Sequence, residues 1–122
     1  MSNYEMEQIE ALQAASPYCD KLITAIGRII KEYSGEKLPD TDEYMHHILK
    51  GLYWIFSIYG STQDMINPNG EVIDQDEVNS YVLELNKANK EEDDEARVEA
   101  FTGILKFVED FKREADSKIA VA

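Results

Sequence analysis

The sequence predicts an all-α antiparallel bundle of four main helices plus a helical N-terminal segment, and three observations predict it. Apolar residues recur at three- and four-residue steps along several separate stretches, the period of a helix with one buried face. Helix-start signals stand ahead of those stretches, notably Asp40 with Glu43 and Asp74 with Glu77. Six Gly and three Pro are too few for the many tight turns of an all-β chain. A length of 122 residues fits one domain, residues 1–122, without room for a second core. With 43% hydrophobic and 30% charged residues, the composition is globular rather than disordered.

The elements follow in order. Residues 4–15 form a first helical segment with Tyr4, Ile9 and Leu12 as apolar contacts. Ser16 and Pro17 then read as an N-cap and first helical residue, which starts a new helix. Its apolar face is Tyr18, Leu22, Ile26, Ile29, Ile30 and Tyr33, and Gly35 is the expected stop. The next helix runs from about Thr41 to Tyr59 and ends near Gly60, with Asp40 and Glu43 as a capping box. Residues 61–73 read as a loop around the turn cluster Asn67-Pro68-Asn69-Gly70. Asp74 opens a third long helix carrying Val78, Tyr81, Val82 and Leu85. A polar junction near Asn89 precedes the last helix, with Val98, Phe101, Ile104, Leu105, Val108 and Phe111.

Charge narrows the partners. Twenty-five Asp and Glu against 12 Lys and Arg give a net charge of −13. Such a surface repels nucleic-acid phosphates and anionic head groups, so neither direct nucleic-acid binding nor membrane binding is expected. It steers a basic partner protein instead. The single Cys19 forms no internal disulfide, and the opening Met1-Ser2-Asn3-Tyr4-Glu5 lacks the basic segment and apolar run of a signal peptide. The longest apolar-rich stretch, residues 48–59, contains Lys50 and is too short to span a bilayer. A cytoplasmic location is expected.

The most informative helix is the second long one. Tyr44, Met45, Ile48, Leu49, Leu52, Ile55, Phe56 and Tyr59 fall within an arc of roughly 140°, an ordinary core face. The opposite side holds Glu43, His47, Lys50 and Ser57, yet Trp54 lies in its middle with Tyr53 and Ile58 beside it. Two explanations compete. Either the helix is central and Trp54 packs on the N-terminal helix, or Tyr53, Trp54 and Ile58 are exposed anchors for a partner, rimmed by His47 and Lys50.

Three further patterns resemble sites. Glu43 and His46 have the Glu-x-x-His spacing of carboxylate-bridged metal bundles, but the chain has two His in all, His46 and His47, and cannot complete such a set alone. Residues 65–76 resemble a calcium loop centred on Gly70, with Asn67, Asn69 and Val72 in register. Met65 nevertheless stands where the first carboxylate belongs, and Asp76 where Glu does. The run Glu91, Glu92, Asp93, Asp94, Glu95, with Glu99, imitates a phosphate backbone or simply favours a helix N-terminus. Phosphate-cradling Gly loops, zinc-type Cys/His sets and nucleophile elbows are missing, and Cys19 needs His46 or His47 nearby to act as a nucleophile.

The reading that results is a non-enzymatic protein-interaction module without metal or cofactor. Its partner is a protein with a basic surface, or a second copy as a homodimer. An acidic antagonist, either immunity-type or a nucleic-acid mimic, is the alternative. A metal-dependent enzyme with a site shared across a dimer, built on Glu43 and His46, is the third.

Overall fold

The computed structural model describes residues 2–70 and 72–122. Its elements are α1 (Asn3–Tyr33), α2 (Thr41–Ser61), α3 (Gln63–Ile66), α4 (Gln75–Glu91) and α5 (Asp94–Ala120). The four long helices form an all-α antiparallel bundle. Helix α1 packs along both α5 and α2, and α4 lies on α5. Side-chain pairs fix the directions. Ser16 meets Asp116 and Tyr33 meets Arg97, so α1 and α5 are antiparallel. Tyr18 meets Trp54 and Arg28 meets Tyr44, so α1 and α2 are too.

The expected break at Ser16-Pro17 does not occur: α1 runs on with Pro17 inside it. An interior proline costs about 3 kcal/mol through its missing N–H and its clash with the preceding turn. The buried stripe Leu12, Ala15, Cys19, Leu22, Ile26, Ile29 is continuous across that point, so packing on both sides holds the helix straight through. Ser16 caps nothing. It is buried, its Oγ donates to Asp116 Oδ1, and it accepts from Lys112 Nζ at 3.1 Å. The true cap is Ser2, which accepts from the Glu5 N–H. Tyr4, expected among the apolar contacts, is exposed.

Gly35 stops α1 with a positive φ of 130°, as its type allows. The capping box at Asp40 and Glu43 is not made. Asp40 makes no side-chain cap bond and Glu43 is exposed, because the backbone of Asp40 (φ −101°, ψ 8°) does not aim its carboxylate at the turn. The buried Thr41 does the joining instead: its hydroxyl accepts from the Leu38 N–H and donates to Glu32 Oε1, each at 2.7 Å.

Residues 61–73 hold the one-turn helix α3 rather than loop alone. The following turn is tied by Asn67, whose Oδ1 accepts from the N–H groups of Val72 and Ile73 and whose Nδ2 donates to the Tyr59 hydroxyl. Asp74 caps α4 as the sequence predicts, accepting from the N–H groups of Asp76 and Glu77. The junction to α5 falls at Glu92 and Asp93, not Asn89. Glu92 takes a left-handed φ of 52° to end α4, and Asp93 caps α5 by accepting from the Ala96 N–H.

The core is one cluster that joins all the helices, with Phe101, Phe111, Leu12, Ile26 and Ile55 among its fully buried members. Two glycines let tyrosines lie flat against a neighbouring backbone. A Cβ at Gly51 would stand 2.2 Å from the Tyr18 hydroxyl, and one at Gly103 would stand 2.4 Å from the Tyr81 ring. Gly27, also in a helix, faces open space. Gly27→Ala is therefore expected to stabilise the fold by about 0.5–1 kcal/mol through backbone entropy. Gly103→Ala is expected to destabilise it by about 1–3 kcal/mol, since Tyr81 must leave its seat on α5. Urea unfolding of the two variants checks the opposite signs.

Candidate protein-binding face

The stretch of α1 from residue 18 to 31 and that of α2 from 44 to 54 pair side by side and share one outward seam. The helical period brings Tyr18, Lys21, Ala25 and Arg28 to one edge, and Tyr44, His47, Gly51 and Trp54 to the facing one. Tyr18 packs edge-to-face on Trp54, with ring centroids 5.4 Å apart and planes at 84°. Gly51 gives the Tyr18 ring the room to cross between the helices. Further along, the Arg28 guanidinium lies 4.1 Å from the centre of the Tyr44 ring and donates from Nε to Glu32 Oε2 at 2.6 Å. Between these pairs runs a shallow groove of about 210 Å³, lined by Tyr18, Lys21, Leu22, Ala25, Tyr44, His47 and Ile48.

Trp54 thus combines the two arrangements the sequence left open. Its edge contacts α1, yet it stays 40% exposed. Tyr53 is 52% exposed, but it points about 100° away around the helix axis, so the two are separate features. Ile58 is partly buried against the core, while His47 and Lys50 are exposed beside Trp54. Tyr18, Tyr44, Lys21 and Arg28 belong to the same face, and sequence reasoning missed them as a group. Gly51, set among the large residues of the middle of α2, was the available signal of a close approach.

The profile of a family described as Domain of unknown function (DUF8042) matches residues 10–114. The chain belongs to that family. No curated protein matches it, and no solved structure does. The matched span of the DUF8042 domain holds the whole seam, from Tyr18 to Trp54.

The acidic run of this DUF8042 domain divides in two. Asp93 caps α5, and Asp94 accepts from Arg97 Nη1 at 2.6 Å and pairs with Lys37 Nζ at 3.5 Å. Glu91, Glu92, Glu95 and Glu99 are exposed. Arg97 is buried, donates from Nε to Asn89 Oδ1 at 2.7 Å, and lies 4.9 Å from the centre of the Tyr33 ring. The Tyr33 hydroxyl donates to Asp42 Oδ1 at 2.7 Å, which holds the Asp42 carboxyl below its usual pKa. Burial, with that bond, raises the phenol's own. These contacts form a clasp that fastens both interhelix connections at one end of the bundle.

Glu43 and His46 are both exposed, and among the described residues no three His, Cys, Asp or Glu side chains gather to hold a metal ion. In the calcium-like loop, the Asn67 oxygen is already occupied by two backbone N–H groups. Burial pushes the Cys19 thiol up to about 12, against the opposing influence of Lys112, so it sits in the core as a protonated thiol and not as a nucleophile. Among the described residues no helix is long and apolar enough to cross a membrane.

Proposed function

We propose that this domain is a non-enzymatic protein-binding module and that its partner docks on the α1–α2 seam around Trp54. The observation that carries the reading is an exposed Trp braced by Tyr18 on a helix whose opposite face, Met45, Ile48, Leu52, Ile55 and Tyr59, is already buried in the core. Trp and Tyr bury large area at low side-chain entropy cost, so a pre-braced pair is well suited to anchor an interface. The acidic-antagonist reading has less support, because Asp93 and Asp94 are engaged in capping and pairing within the fold. A metal site shared across a dimer draws no support beyond the Glu43–His46 spacing, since among the described residues no third ligand gathers with them. A reducing cytoplasm suits a chain with a single cysteine.

The test compares what the immobilised chain retains from the lysate of its native cells. Wild type and a Glu91→Gln/Glu92→Gln/Glu95→Gln variant are expected to retain the same protein, and Trp54→Ala to lose it about tenfold or more in affinity. Retention by Trp54→Ala with loss by the triple variant would transfer the function to the acidic run.

A further inference from the structure

Although the chain as a whole is strongly acidic, its seam is not. Residues 18–31 and 43–54 carry Lys21, Arg28, Lys31 and Lys50 against two acids, Glu43, which is exposed, and Asp20. Asp20 turns to the other side of α1, where it pairs with Lys112 of α5 at 3.5 Å. Lys21 and Lys50 are exposed and make no ion pair among the described residues. Glu32, the nearby acid on α1, is buried and committed. Bonds from Thr41 and Arg28 hold its carboxyl below the usual range. The groove floor is apolar, made by Leu22, Ala25 and Ile48 between Tyr18 and Tyr44.

We infer that the α1–α2 seam takes an acidic amphipathic helical segment of another protein, its apolar side chains in the groove and its carboxylates on Lys21 and Lys50. This inference rests on the docking reading above and names the partner's chemistry. The whole-chain charge favours a basic partner at long range, but at physiological salt charges more than about 8 Å away are largely screened. Lys21 lines the groove itself and Lys50 stands exposed one turn before Trp54 on α2, so their sign governs the docked state. A helix is the fitting shape because the seam is a straight groove between two antiparallel helices, where a third helix lays down an i, i+3, i+4, i+7 row.

The chain's single Trp is on this face, so its fluorescence reports occupancy directly. Two Trp-free synthetic peptides of about 18 residues, five helical turns, serve as probes: one with a Leu face flanked by Glu, the other identical with Lys for Glu. The acidic peptide is expected to shift Trp54 emission to the blue and to bind about tenfold or more tighter than the basic one. Lys21→Glu/Lys50→Glu is expected to reverse that preference, and Lys21→Gln/Lys50→Gln to abolish it. Equal binding of both peptides, or preference for the basic one, overturns the acidic-partner inference and leaves docking at the seam intact. No response to either peptide also overturns it, and the docking reading then stands or falls by the lysate comparison with Trp54→Ala.

Discussion

Phe111→Ala is expected to destabilise the domain by about 3–5 kcal/mol, the cost of a cavity where a fully buried ring stood. Phe111 is completely buried on α5, stacked on Phe107 at a centroid distance of 6.0 Å and set edge-on to Tyr59 of α2 at 6.1 Å. Tyr59 in turn donates to the Ile73 carbonyl and accepts from Asn67. Loss of the ring therefore loosens the α2–α5 contact and the turn that Tyr59 anchors. Domains of this size hold about 5–15 kcal/mol in all, so the variant is expected to lose about 10–20 °C in Tm. Phe111→Leu keeps most of the volume and is expected to cost less than half as much. Equal stability of Phe111→Ala and wild type in urea unfolding would contradict the packing described.

Arg97→Met is expected to cost about 2–4 kcal/mol even though it keeps the unbranched stem of the side chain. The guanidinium serves three partners at once: Asn89 at the end of α4, Asp94 at the start of α5, and the Tyr33 ring at the end of α1. Removing it leaves the half-buried Asn89 oxygen without its donor and the Tyr33 face without its cation. Asp94→Ala is expected to cost only about 1 kcal/mol, because Asp94 is partly solvated. A double-mutant cycle separates the pair from the rest of the clasp. If Arg97→Met lies within about 0.5 kcal/mol of wild type, the clasp is decoration and not a fastening.

Much of this architecture was legible because periodicity is a local property. The stripes of α2, α4 and α5 and the Asp74 cap need only neighbours in sequence to be read. Pro17 misled because a proline after a serine has the right spacing to start a helix. The uninterrupted series from Leu12 to Ile29 was the stronger signal, and burial against α5 made it decisive. Asp40 and Glu43 had the capping spacing but not the backbone angles, which the Thr41–Glu32 contact sets from outside the helix. For the candidate face, Trp54 stood out by its position on the polar side of its helix. Its companions did not, because Tyr18, Lys21 and Arg28 lie on another helix, and no local pattern tells which two helices share a seam. The charge of the groove was legible only in part: Lys50 lies on Trp54's own helix, whereas Lys21 reaches the groove from α1, and composition averages over the whole surface.

The central claim is that Trp54 belongs to a surface and not to the core. Its most direct test is the stability of Trp54→Ala by circular dichroism in urea, paired with partner retention by the same preparation. The account predicts a folded helical domain that has lost no more than about 1.5 kcal/mol, the share of one half-exposed ring, and that no longer holds its partner. A loss of several kcal/mol, or a folded variant that retains the partner undiminished, would contradict it.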